Sequence, residues 1–259
     1  MSMTHSEKRI FLIQELLSED SRYRDVKIPQ NDAQQRHLLR SLMNIRLPGK
    51  IDQRFLEVQD SYLHAETALK GITELRDLEP VANGVYLWQG DITTLRCDAI
   101  VNAANSGMTG CYVPCHGCID NCIHSNAGIQ LRLECAELMI QQGHEEETGK
   151  AKITSAYNLP CKYVIHTVGP IIRDQVTEQD KELLSSCYLS CLRLAEQNGI
   201  KSIAFCCIST GEFHFPNELA AQIAIQTVQA YKEQTGSDTE VIFNVFKDID
   251  YKIYRDLLK

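Results

Sequence analysis

No apolar run in this chain is long enough to cross a bilayer. Its opening stretch offers only Ile10 to Ile13 before charges return, whereas a span needs about 20 apolar residues and an export-signal core at least about 7. A cytoplasmic protein with no membrane attachment is therefore expected. Basic residues are also in short supply: 26 Lys and Arg stand against 34 Asp and Glu, a formal charge of −8. A nucleic-acid-binding surface needs a basic face that displaces phosphate counterions, so no nucleic-acid partner is expected. Nothing marks the chain as disordered or fibrous either. At 259 residues, 44% hydrophobic and 23% charged, it can fill one sizeable core and a smaller appendage.

Cysteine, by contrast, is plentiful. The count of 11 is odd, and without an export signal it argues against a disulfide framework. Cys97, Cys135, Cys161, Cys187, Cys191, Cys206 and Cys207 are scattered in apolar contexts and read as reduced core thiols. The other four crowd into Gly110–His124, GCYVPCHGCIDNCIH, with two histidines among them. This cluster directly follows the polar turn VNAANSG at Val101–Gly107. Soft sulfur and imidazole ligands beside an amide-rich loop are what a zinc ion held next to a substrate pocket requires.

The chain divides near residue 80. Before it, three helical patterns, Ser6 to Leu17, Asn31 to Ile45 and Gln53 to Leu69, are separated by Pro29 and by Leu47-Pro48-Gly49. Asn31 and Asp52 are placed to cap the second and third. Residues 1–80 thus form a small helical extension with no evident chemistry, suited to framing a cleft in residues 81–259. There, short β-branched runs (Val85 to Trp88, Ala99 to Asn102, Val164 to Thr167, Ser202 to Cys207, Glu240 to Phe246) alternate with helical patterns (Asp120 to Gly143, Glu178 to Asn198, Asn217 to Gln234). That alternation predicts an α/β sheet covered by helices on both faces. Ligands of such sheets sit at the carboxyl ends of the strands, where the loops after Val101 and after Cys207 fall. The second loop, Ile208–Pro216, enters a helix, so its backbone N–H groups can face a pyrophosphate. Phe213 and Phe215 within it are candidates to pack on a ligand ring.

Several motifs occur together and in order: Gly90-Asp91-Ile92-Thr93, DAIVNAANS from Asp98, Ile119-Asp120-Asn121-Cys122-Ile123-His124, Thr148-Gly149-Lys150-Ala151, YVIHTVGP from Tyr163, and STGEFHFP from Ser209. In this order and spacing the segment from about residue 83 to 258 resembles the macrodomain family. The resemblance implies a three-layer α/β/α fold with a central mixed sheet, and binding of ADP-ribose. Where many hydrolytic members carry a glycine run, this chain has Cys-Tyr-Val-Pro-Cys-His-Gly-Cys, which resembles the zinc-dependent branch. That branch implies zinc on Cys111, His116 and Cys118. Two thiolates and one neutral imidazole would leave an open fourth position, as a catalytic zinc needs. Cys115, in a CxxC pair with Cys118, and Cys122 are competing ligands, and a closed four-ligand structural site is the alternative.

The resemblance assigns the remaining roles. Asp91, with the Ile92 backbone, would receive the adenine amine, and Asn105 would face the distal ribose. Thr210, Gly211, Glu212 and Phe213 would hold the diphosphate and distal ribose. Asp120 would orient or deprotonate water or cap its helix, with Glu212 as a second carboxylate candidate and Asn105 beside it as a catalytic group. Asn102 reads as a loop stabiliser, His124 as packed or capping, and His166 as a hydrogen-bonded core histidine. The expected reaction is hydrolysis of mono-ADP-ribose from a protein side chain, most plausibly Asp or Glu; a non-catalytic ADP-ribose reader with a structural zinc is the other reading. The same resemblance implies a sirtuin-like ADP-ribosyltransferase and a lipoyl carrier protein as partners.

Overall fold

The computed structural model describes residues 3–259; the first two positions of the extension lie outside it. Three helices open the chain: α1 (His5–Ser18), α2 (Asp32–Ile45) and α3 (Gln53–Lys70). Each starts on a capping side chain, respectively Thr4, Asn31 and Asp52, which accepts a backbone N–H that the first turn leaves free. Leu12, Ile13, Leu16, Leu39, Leu42, Phe55 and Tyr62 close their shared core, which continues into Ile129 of a later helix. Arg9, only 1% exposed, lies inside this bundle and donates to Gln35 (3.0 Å) and Asp32 (2.6 Å).

The strands are β1 (Thr73–Glu74), β2 (Pro80–Ala82), β3 (Val85–Gln89), β4 (Leu95–Arg96), β5 (Ala99–Ala104), β6 (Ala151–Ser155), β7 (Tyr163–Val168), β8 (Ser202–Phe205) and β9 (Glu240–Val245). Seven of them form one sheet in the order β2-β3-β9-β8-β5-β7-β6. Its inner pairs are parallel and its two outer pairs antiparallel. Consecutive residues Ile100 and Val101, Val164 and Ile165, and Val241 and Ile242 are all fully buried. Neighbouring strand side chains point to opposite faces, so both faces are covered. The cover comes from α4 (Ile119–Ala127), α5 (Ile129–Gln142), α6 (Glu178–Gln197), α7 (Asn217–Thr235) and α8 (Asp248–Leu257). This is the mixed-sheet α/β/α arrangement that the sequence predicts, preceded by the helical segment. No helix among the described residues is long and apolar enough to cross a membrane.

Two differences from the sequence reading matter. The helix expected from Asp120 to Gly143 is two helices, broken at Gly128, whose φ is +95°. A Cβ there would lie 2.6 Å from Gln59 Nε2, and Gln59 Oε1 accepts from the N–H of Ile129 at 3.0 Å. The break is where α3 docks. Phe215, expected to pack on a ligand ring, is 1% exposed and belongs to the core. It is drawn inward by its N–H, which donates to Ser209 O at 2.9 Å.

Candidate active site

Strand β5 ends at the centre of the sheet and delivers two asparagines. Asn102, fully buried, donates through one amide to Asp120 Oδ1 (2.8 Å) and to His166 Nδ1 (3.1 Å). Asn105, just past the strand, accepts from Gly107 N (3.0 Å) and donates to Gly110 O (3.2 Å) and Asp120 Oδ2 (3.3 Å). Asp120, in the first turn of α4, is therefore held on one oxygen by Asn102 and more loosely on the other by Asn105. Burial raises its carboxyl to about 6, against the opposing pull of Asn102 and Arg132. Asn102 does more than stabilise a loop, because it ties the carboxylate to the buried histidine of β7.

His166 keeps both nitrogens engaged, Nε2 lying 3.0 Å from Thr154 Oγ1, and burial pushes it down to about 3. It is the hydrogen-bonded core histidine expected. His124 is also buried and also held neutral by burial. Its Nε2 approaches Asp120 Oδ1 at 3.5 Å, yet neither ring nitrogen makes a hydrogen bond among the described residues.

The cysteine-rich loop runs from Gly110 to α4. Cys111 Sγ lies 3.7 Å from His116 Nδ1, and one ligand atom from each of Cys111, His116 and Cys118 falls within 4.8 Å of the other two. All three are half-buried. Cys118 is the N-cap of α4, where its sulfur accepts from Asn121 N. Burial pushes its thiol up to about 12, so a cation is the natural means of making it a thiolate there. On the far side of the imidazole, His116 Nε2 lies 3.6 Å from Glu212 Oε1. Two thiols and an imidazole are the ligand types zinc takes, so the donor set suits zinc. Cys115 and Cys122 turn elsewhere. Cys115 Sγ meets Ser41 Oγ (3.2 Å) and His37 O (3.3 Å), and Cys122 Sγ meets Arg40 (3.6 Å).

The opposite wall is the loop between β8 and α7. Ser209 and His214 adopt positive φ values of 65° and 58°, and Thr210 Oγ1 donates to Cys207 O at 3.0 Å. Gly169, after β7, lies so close that a Cβ would meet Ser209 Oγ at 2.0 Å. Gly211 and Glu212 are exposed and Phe213 half-buried. α7 begins at Pro216 with no side-chain cap, which leaves its N-terminal dipole open to an anion.

Asp91 follows β3. Its Oδ1 accepts from Thr93 N (3.0 Å) and Thr93 Oγ1 (2.6 Å), and its Oδ2 pairs with Lys70 Nζ at 3.2 Å. Burial opposes ionisation, but Thr93 and Lys70 together hold the carboxyl below its ordinary range. The Ile92 side chain is buried, so only its backbone can face a ligand. Two features escaped the sequence reading. Phe246, 75% exposed, directly follows β9 beside β3, with its carbonyl accepting from Gln89 at 3.2 Å. Arg132 of α5, 5% exposed, donates to Thr109 O (2.7 Å) at the foot of the cysteine loop. An exposed aromatic just after a strand and an arginine inside an apolar helix were the available signals.

Comparison with known proteins completes the picture. The Macro domain family model matches residues 101–224. A protein-ADP-ribose hydrolase of Treponema medium is 57% identical over 260 residues, covering 99% of this chain and all of the relative. One of Staphylococcus aureus is 51% identical over 221 residues, covering 85% of this chain and 83% of its own. Among solved structures, the Oceanobacillus iheyensis macrodomain with ADP is 35% identical with a TM-score of 0.63, covering 70% of this chain and 93% of its own. The Trypanosoma brucei macrodomain in complex with ADP-ribose is 28% identical with a TM-score of 0.64, covering 100% of this chain and 92% of its own. Strand order, the loops at the strand ends and these matches lead to one conclusion: the chain belongs to the macrodomain family.

Proposed function

We propose that the chain is a zinc-dependent hydrolase that releases mono-ADP-ribose from modified protein side chains, with an ester to Asp or Glu as the linkage. One observation carries the reading. The three zinc-type ligands Cys111, His116 and Cys118 stand at the same strand-end cleft as the Asn105–Asp120 pair, not in a remote structural knuckle. The names of the relatives, protein-ADP-ribose hydrolase, support it.

Cys111, His116 and Cys118 would hold the metal, which supplies a Lewis acid for a ribose hydroxyl or a water of lowered pKa. Glu212 orients His116 from outside. Asn105 makes two long donor contacts, at 3.2 and 3.3 Å, so its amide can turn to a distal-ribose hydroxyl at small cost. Asp120 is raised toward neutrality, the range that suits a general base. Asn102 fixes its Oδ1 and leaves Oδ2 to accept a proton from water beside Asn105. At 5% exposure, Asp120 also serves by holding Asn105 in place. Thr210, Gly211 and Phe213 line the wall for the diphosphate, next to the open start of α7. Asp91 and the Ile92 backbone receive adenine, with Lys70 giving way or sharing the carboxylate. We also place the boundary between the helical extension and the macrodomain at residue 80, locate the protein in the cytoplasm, and take a sirtuin-like ADP-ribosyltransferase and a lipoyl carrier protein as its partners; these follow from the resemblance and composition.

The test is a single-turnover assay on an Asp/Glu-linked mono-ADP-ribosylated protein, run before chelation, after chelation and with zinc restored. Loss and recovery of release, with the apo protein still folded, is the expected result. Stoichiometric ADP-ribose binding without release would overturn the hydrolase and leave a reader.

A further inference from the structure

The helical extension carries no ligand of its own, yet α2 grips the cysteine-rich loop at Cys115 and His116. Arg40 Nη2 donates to His116 O (2.9 Å) and to Asn121 Oδ1 (2.8 Å), and its Nε to the same Oδ1 at 3.2 Å. Asn121, fully buried, passes the constraint on: its amide donates to Val113 O (2.9 Å) and Cys111 O (3.4 Å), and its backbone N–H to Cys118 Sγ (3.4 Å). One helical turn beyond Arg40, the buried Asn44 accepts from Cys115 N (2.9 Å) and donates to Ser125 Oγ (2.9 Å). Cys115 has a positive φ of 51°, a conformation that costs a non-glycine residue energy unless its surroundings hold it. The Asn44 contact helps to hold it, together with the Cys115 side-chain contacts to Ser41 and the His37 carbonyl.

We infer that Arg40 and Asn44 of α2 are positioning residues for the zinc centre: they fix the backbone of the ligand loop so that Cys111, His116 and Cys118 converge before the ion arrives. This rests on the zinc reading given above. The chemical reason is preorganisation. A loop of nine residues, Gly110–Cys118, with two glycines and a proline has many conformations to lose on binding metal, and contacts that restrict it beforehand raise affinity without touching the ion. Arg40 suits the task because its planar fork serves a carbonyl and an amide at once and stays charged. Its cation also stands beside a loop that must carry two thiolates.

The experiment measures zinc affinity of the full chain by chelator competition, together with apo-protein melting and the visible spectrum of the cobalt(II)-substituted form. Arg40→Ala is expected to weaken zinc binding about tenfold to a hundredfold, the usual effect of removing an outer-shell partner. Its cobalt bands should broaden and the apo melting temperature should change little. Arg40→Lys should fall between the two. Arg36→Ala, on the same helix but 45% exposed and facing Glu66, should bind zinc like the wild type. If Arg40→Ala does not fold, Arg40→Lys and Asn44→Ala carry the same comparison. A wild type that binds one zinc and variants that bind it equally tightly would overturn the positioning role alone. A wild type that binds no zinc would overturn the zinc reading and this inference with it, and would show itself before any variant was compared.

Discussion

Two clusters of sulfur and imidazole lie among the described residues, and by proximity alone they are alike: Cys111, His116 and Cys118 in one, His124, Cys135 and His166 in the other, each with ligand-type atoms within 4.8 Å of one another. What separates them is burial. In the outer cluster the ligands are half-buried, His116 points Nδ1 at Cys111 and offers Nε2 to a carboxylate, and the sulfurs sit on a loop and a helix N-terminus. In the inner cluster all three residues are buried. His166 spends one nitrogen on Asn102 and the other on Thr154, and burial pushes the Cys135 thiol above its ordinary range. A cation there would have to displace Thr154 and ionise a thiol in the core, a heavier cost of desolvation than at the half-buried outer cluster, where burial also raises the Cys118 thiol. Burial, more than composition or distance, distinguishes the candidate metal site from packing.

The sharpest way to break this contrast is metal stoichiometry. We expect one zinc per chain in the purified protein. Cys118→Ala should lose it, with release of ADP-ribose slowed on the order of a hundredfold or more, whereas Cys135→Ala should keep it. Two zincs per chain, or zinc lost from Cys135→Ala, would erase the distinction; cooperative unfolding of Cys118→Ala at much lower temperature would make the outer site a staple instead. At the other end of the cleft, Asp91→Ala should weaken ADP-ribose binding about tenfold to a hundredfold, the worth of a hydrogen bond to a charged group. Metal content should be unchanged, as read by calorimetry and elemental analysis of one sample. Unaltered affinity would sink the adenine assignment.

The inner cluster has a pH signature. His166 is held at about 3 in the folded chain against 6.5 unperturbed, so below about pH 6.5 the unfolded chain takes up a proton that the native chain refuses. Stability from this group is therefore complete above about 6.5 and lost progressively as pH falls toward about 3. His124 acts in the same direction, and Asp120, whose raised carboxyl binds its proton in the native state first, acts in the opposite one. The difference between wild type and His166→Gln isolates the histidine. Denaturant midpoints measured from pH 7 to pH 4 should show about one proton fewer taken up on unfolding of the variant. A parallel pair of profiles would mean that His166 is not buried neutral. The smallest effect belongs to Cys135→Ala, a truncation of one sulfur in the core, with a stability loss of about 1 kcal/mol by chemical denaturation.

Much of this site could be read in the chain beforehand, because its chemistry comes in contiguous motifs. Gly90–Thr93, Asn102–Gly107, Gly110–His124 and Ser209–Pro216 each supply a turn with its functional groups already in order, and the fold has only to bring four loops to one edge of a sheet. The strands β5, β7, β8 and β9 were legible for a related reason: each is a short apolar run whose residues are nearly all buried. The missing pieces are those whose meaning lies in a distant partner. Gly128 looks like one more residue in an apolar period until Gln59 of α3 enters the break. Phe215 looks like a ligand-facing aromatic until Ser209 turns the backbone inward. The edge strand β6 and the helix α8 are short, five and ten residues, and charged residues break up their apolar positions. Arg40 and Asn44 read as ordinary polar helix positions, because the loop they grip lies more than 70 residues away.

Lys70, at the last turn of α3, pairs with Asp91, while Arg40 on α2 binds the His116 carbonyl, and α1 packs against both helices. The surface ion pair is worth little in energy, yet its placement makes the three-helix unit a gauge laid across the sheet's edge. One foot rests on the carboxylate after β3 and the other on the sulfur loop. Were the base and far sugar bound as proposed, any shift of this helical unit would be felt at both ends of the cleft together.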